Sequence, residues 1–248
     1  MIYSSCKFKI SAVFCCFLFP LFVSCAAQIN GSLAADSSAA FSVKTSLEPR
    51  MTSLIRMIAA AGGQSGGNIL DGPLIAGSMS KAGTSVTLKN TGPAAVEGSV
   101  TILKINEFLS SAGAGQNIPE SFIIFEQRGN DVPRSGGRCQ ISVNRGNGPM
   151  IMQTLSPEIF DYLNALMAPI ATGETMNKIE YLSLVSSIYS KAISDEISGS
   201  RIRVSIEFPG QITNVKGGTF SGRRAEFNVP LLDLLLLEIP LVYEVVWN

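Results

Sequence analysis

The sequence predicts an α+β fold, an antiparallel sheet built from hairpins with helices packed on one face. Three observations carry that expectation. Apolar residues alternate with polar ones in paired runs separated by turn-forming residues, as in Ile29, Gly31 and Leu33 before Phe41, Val43 and Thr45. Other runs repeat their apolar residues at helical spacing, first Leu47, Met51, Leu54, Ile55 and Ile58. The composition, 46% hydrophobic and 15% charged over 248 residues, is that of a globular chain with enough apolar surface for a full core.

In chain order, Asp36 to Ser38 supplies the turn of the first hairpin. Pro49 suits the first turn of the helix that follows, and Gly62-Gly63 its stop. After the glycine-rich loop 62–67, Asp71 and Pro73 start a short helix that fails near Gly83. Val86 and Leu88 open a strand, Asn90 to Pro93 turns it, and Val96 to Ile105 returns. Ser110 to Pro119, rich in Gly, Ala and Ser, is either a subdomain boundary or a long internal loop.

In the second half, Phe122 to Phe125 reads as a strand and Arg128 to Gly137 as a polar turn. Cys139, Ile141 and Val143 then alternate with polar partners. Ser156 and Pro157 open a helix whose apolar face is Ile159, Phe160, Leu163, Met167 and Ile170, and Pro169 ends it. A longer helix from about Thr175 to Ser198 presents Ile179, Leu182, Ile188, Tyr189, Ile193 and Ile197 on one side. Arg201 to Phe208 is the cleanest strand, with Ile202, Val204, Ile206 and Phe208 inward. Pro209-Gly210 turns it, and Ala225 to Val229 and Ile239 to Trp247 complete the sheet, the last being apolar on both faces and therefore central.

The amino-terminal stretch follows a different logic. Lys7 and Lys9 precede an apolar run, Ile10 to Val23, in the layout of a secretory signal. At its end Leu21-Phe22-Val23-Ser24-Cys25 resembles a lipobox, with an apolar residue four before the cysteine and a small one directly before it. Phe22 and Val23 depart from the strict consensus in a way similar to spirochaetal lipoproteins. The resemblance implies removal of residues 1–24, acylation of Cys25 with palmitate-like chains, and residence in a bacterial cell envelope, on the periplasmic face or the outer membrane. Residues 25–28 would form a lipid-anchored linker of about 10 Å, and 29–248 a single domain. The layout around Phe208, Asn214 and Gly217, strand, Pro-Gly, strand, Gly-Gly, strand, is similar to the LppM-type lipoprotein domain. Taken whole, the chain resembles treponemal lipoproteins, which implies location and no activity.

Composition then excludes several chemistries. The 19 basic residues less Lys7 and Lys9 leave 17 against 19 acidic ones, a net of about −2 that argues against nucleic acid as a partner. Of five cysteines, Cys6, Cys15 and Cys16 lie in the signal and Cys25 would carry lipid, so Cys139 alone can form no internal disulfide. The chain has no histidine, which removes Ser-His-Asp and Cys-His pairs and histidine-held metals, and no cofactor is expected.

Five features merit weighing. Gly63-Gln64-Ser65-Gly66-Gly67 matches G-x-S-x-G, but a nucleophile elbow needs a strand before the serine and a histidine, so a loop is the better reading. Ser78-Met79-Ser80-Lys81 matches S-x-x-K, in which the lysine would activate the serine. With 30 serines and nine lysines about one such match arises by chance, and Ser4 to Lys7 is another. Cys139, by its alternation, points into the core, and Gly217-Gly218 with Gly222-Arg223-Arg224 reads as hairpin turns before it reads as an anion cradle. Leu234, Leu235, Leu236 and Leu237 crown the most apolar segment after the signal, which from Pro230 to Val242 is too short to cross a membrane. Core packing is their default role; a lipid-facing surface or the lip of an apolar pocket are the alternatives.

These features favour a non-enzymatic, lipid-anchored envelope module that binds a protein partner or supports structure. A carrier of lipid or another apolar ligand is the alternative, and a Ser-Lys hydrolase stands third. A cavity of several hundred cubic ångströms would favour the carrier, a solid core the module.

Overall fold

The structure is a computed structural model that describes residues 25–61, 68–79, 83–108, 123–128, 136–148 and 162–248. The α+β class holds, and the strands form two sheets rather than one. Strands β1 (Cys25–Leu33) and β2 (Ala39–Leu47) make the expected antiparallel hairpin. Its turn is closed by the Asp36 carboxylate, which accepts from the Ser38 amide and hydroxyl. Every odd residue of β2 is buried, so the alternation read from sequence is a true inside and outside. Residues 25–28, expected as a linker, are instead the first part of β1.

Helix α1 (Pro49–Ala61) buries Met51, Leu54 and Ile55. Its free amino-terminal N–H groups are met from a distance in sequence: the Glu196 carboxylate accepts from the amides of Arg50 and Met51. Helix α2 (Gly72–Met79) starts as expected, with Asp71 accepting from the Leu74 amide. Strands β3 (Thr84–Gly92) and β4 (Ala95–Ile102) form the second hairpin and join β2 through β4. The loop 110–119 lies outside the described residues.

Strands β5 (Ile123–Arg128) and β6 (Gly136–Val143) pair antiparallel. The helix expected from Ser156 lies partly outside the described residues. Pro169 does not end it but opens a short helix, α3 (Pro169–Thr172), after Met167 takes a positive φ of 49°. The single helix expected over 175–198 is two, α4 (Lys178–Ile188) and α5 (Lys191–Gly199). Asn177 and Glu180 form a capping box on α4, and Ser190 caps α5 at the break. The break resets the helical phase. Tyr181, Val185, Ile193 and Ile197 are therefore the buried face, while Ile179 is 81% exposed.

Strand β7 (Arg201–Glu207) runs parallel to β1, a pairing no hairpin pattern predicts, and antiparallel to β10 (Arg224–Pro230). Strands β8 (Ile212–Lys216) and β9 (Thr219–Ser221) lie between them in sequence. The leucine-rich segment is helix α6 (Leu231–Leu236), closed by Leu237 at a positive φ of 45°, and strand β11 (Leu241–Trp247) follows. The larger sheet has the order β3-β4-β2-β1-β7-β10-β9 and the smaller β5-β6-β11-β8. β11 is thus interior, as its two-sided apolar character requires, but in the second sheet.

One face of the larger sheet carries Ala27, Ile29, Phe41, Val43, Val96, Val100 and Ile202, all buried. The other is polar and exposed at Gln28, Asn30, Ser42, Lys44 and Arg203. Trp247 anchors the smaller sheet, fully buried, with its ring 4.9 Å from Phe208 and 6.2 Å from Phe125.

Candidate functional site

A cavity of about 100 Å³ lies between the two sheets. On the larger sheet two cross-strand pairs bound it, Ile202 with Val229 and Val204 with Phe227, together with Ile206 and, just past the strand, Phe208. On the smaller sheet three more face them: Val143 with Leu241, Ile141 with Tyr243, and Cys139 with Val245. Ile123 of β5 and Leu234 of α6 complete the wall. Both sheets contribute because each strand sends alternate side chains inward.

The chemistry of this wall is narrow. The polar side-chain atoms in it are the Cys139 thiol and the Tyr243 hydroxyl. Burial pushes the Cys139 thiol up to about 12, so at neutral pH it is protonated and a poor nucleophile. Burial, with the Asp233 carboxylate adding to it, pushes the Tyr243 phenol up to about 12. The Tyr243 ring meets Phe227 edge to face, 5.5 Å between centres at 82°. A bound water needs two to four polar partners, which this wall does not offer. Its size is close to that of engineered apolar cavities, about 150 Å³, that take a single benzene ring. It is well short of the several hundred cubic ångströms set out above as the mark of a carrier.

The sequence-predicted residues fall as follows. Leu234, Leu235, Leu236 and Leu237 are all 2% exposed or less, and Leu234 alone of the four borders the cavity. Leu237 packs on Gly148, where an added Cβ would stand 2.6 Å from its Cδ1. Asp233, which gives the segment its polar side, is 2.6 Å from the Lys178 ammonium. Cys25 is the first residue of β1, opposite Leu47. Ser78 falls in the last turn of α2, while Lys81 and the Gly63–Gly67 loop lie outside the described residues. The turn arginines share one carboxylate: Arg223 is 2.5 Å and Arg224 3.9 Å from the Glu207 oxygens. Sequence reasoning missed Val204, Ile206, Ile141 and Tyr243 as parts of one wall. Their alternation was visible, but the pairing of two separate sheets leaves no local signal.

Among the described residues no helix is long and apolar enough to cross a membrane, and no three metal-binding side chains cluster. No protein-family model matches the sequence, and no curated protein matches it. The chain is similar in structure to the folded domain of the Mycobacterium tuberculosis LppM protein, solved by NMR, with a TM-score of 0.39 and 8% identity over 91% of this chain and 90% of that one.

Proposed function

We propose that the chain is a lipid-anchored protein of the bacterial cell envelope that works by binding a partner or supporting structure rather than by catalysis. The observation that carries the anchor is the position of Cys25. It ends a secretory-type segment and begins β1, so an acyl chain on its sulfur would leave no tether between bilayer and folded sheet. Binding in place of catalysis is supported by a chain without histidine whose Cys139 thiol is held protonated. Metabolic labelling with a fatty acid tests the anchor. The wild-type chain should take up label and partition into detergent, and Cys25→Ser should do neither; equal labelling of the two removes the proposal.

The apolar wall, though it encloses far less than a carrier's volume, supports one further reading, a binder of a single small apolar ligand or the end of an acyl chain. In that case a fluorescent apolar probe should bind the wild-type chain. Ile141→Phe, which fills the space, should abolish that binding while the protein still melts cooperatively. Absence of probe binding in the wild-type chain leaves the module.

A further inference from the structure

The outer face of the larger sheet is as regular as its buried one. Lys44 of β2 stands opposite Gln28 of β1, Gln28 opposite Arg203 of β7, and Arg203 opposite Asn228 of β10. All four are exposed, and they form one row about 14 Å long at the usual spacing of strands. The face dips into two polar grooves, of about 690 and 460 Å³, and both are lined by Gln28 and Arg203.

Other cations on this face are engaged. Lys89 is 2.9 Å from Glu97, Arg223 and Arg224 flank Glu207, and Arg201 donates to the carbonyls of Ser198 and Ser200. Arg203 differs. Its cross-strand neighbours are both amides, and among the described residues no carboxylate or carbonyl accepts from its guanidinium. Lys44 faces Glu97, but that carboxylate is the one that Lys89 holds. Of the acids bordering the grooves, Glu196 is turned to the amides that open α1, while Glu226 lies in the next row and Glu48 at the rim. On a chain that, without residues 1–24, carries a net charge of about −2, the row is a local excess of positive charge flanked by amide donors, the arrangement that takes a phosphate oxygen.

Gln28 stands three residues from Cys25, about 10 Å along an extended strand. Resting on the lipid anchoring proposed above, we infer that the row Lys44, Gln28, Arg203 and Asn228 lies against the membrane and binds the phosphates of anionic phospholipid headgroups, and so sets which face of the domain turns to the bilayer.

The test uses the full chain on vesicles of phosphatidylcholine, with or without phosphatidylglycerol. A water-soluble amine-acylating reagent is applied, and modification of Lys44 is measured by mass spectrometry against Lys216, which is exposed on the smaller sheet, away from this face. Phosphatidylglycerol should lower the Lys44 to Lys216 ratio about fivefold, the factor one basic side chain contributes near an anionic surface. High salt should restore the ratio, since the contact acts within a Debye length of about 10 Å. Arg203→Gln should weaken the protection. An unchanged ratio on floating vesicles overturns the inference and leaves the anchor intact. Protection by inorganic phosphate without protection by phosphatidylglycerol also overturns it, because the site then takes a free anion. A chain that floats with neither vesicle overturns the anchor and the inference together.

Discussion

Gly137 lies under Trp247 so closely that a Cβ added to it would stand 2.4 Å from the indole Cζ2 and 2.5 Å from the Glu126 carbonyl oxygen. The glycine opposes the tryptophan directly in the β6–β11 ladder, so the smaller sheet closes only if that position has no side chain. Gly137→Ala is therefore expected to destabilise the fold by about 1–3 kcal/mol, as overpacking does. Trp247 is the only tryptophan, so its fluorescence in a urea titration reports the loss directly.

The leucines of α6 should separate by position. Leu235 and Leu236 are each 1% exposed and do not border the cavity, so truncation to alanine should cost about 2–5 kcal/mol. Leu234 already faces empty space on one side and forfeits fewer contacts, so Leu234→Ala should fall at or below the bottom of that range. Thermal melts of the three variants side by side check the order; a larger loss for Leu234→Ala than for Leu235→Ala contradicts it.

Alkaline pH should weaken the fold in a defined window. In the unfolded chain Cys139 and Tyr243 release their protons near their ordinary values of 9.0 and 10.0, whereas burial raises both to about 12 in the folded one. Between about pH 9 and 12 the folded state then binds more protons than the unfolded, so stability is full below that window and falls as pH rises through it. Urea midpoints measured from pH 7 to 11 should be flat at first and then decline, and Cys139→Ala with Tyr243→Phe should lessen the decline, leaving the part due to Tyr181, whose phenol burial also raises. The same burial makes Cys139 slow to react with a maleimide at pH 7 until denaturant is added.

Much of the fold was legible because it rests on local periodicity. The hairpins β1–β2 and β3–β4, helix α1 and strand β7 follow from alternation and spacing in runs such as Phe41 to Thr45 and Ile202 to Phe208. What escaped depends on partners far away in sequence. The break at Ser190 is invisible in a run whose apolar residues suit either one helix or two, and only burial separates Tyr181 from the exposed Ile179. The parallel match of Ile29 with Val204 and the edge-to-face contact of Phe227 and Tyr243 join strands that nothing local pairs. Of the cavity, Leu234, the apolar side of Cys139 to Val143 and the inward side of Ile202 to Phe208 could be seen, and that these sides face one another across two sheets could not. The outer row escaped for a related reason: Lys44, Gln28, Arg203 and Asn228 become neighbours only once four strands are in register.

The parallel contact between β1 and β7 also has a bearing on timing. The hairpin of β1 with β2 can form as soon as both have been made, but the other edge of β1 waits for Arg201 and the residues after it. Joining the two strands means closing most of the polypeptide into a loop, and topologies dominated by such distant contacts fold slowly. A chain synthesised from its amino terminus therefore carries an open strand edge through most of its production, and it reaches the compact state only near the end. Under the anchoring proposed above such a delay would suit export before folding, and until Arg201 to Glu207 arrive that edge of β1 stays open to pairing with other strands.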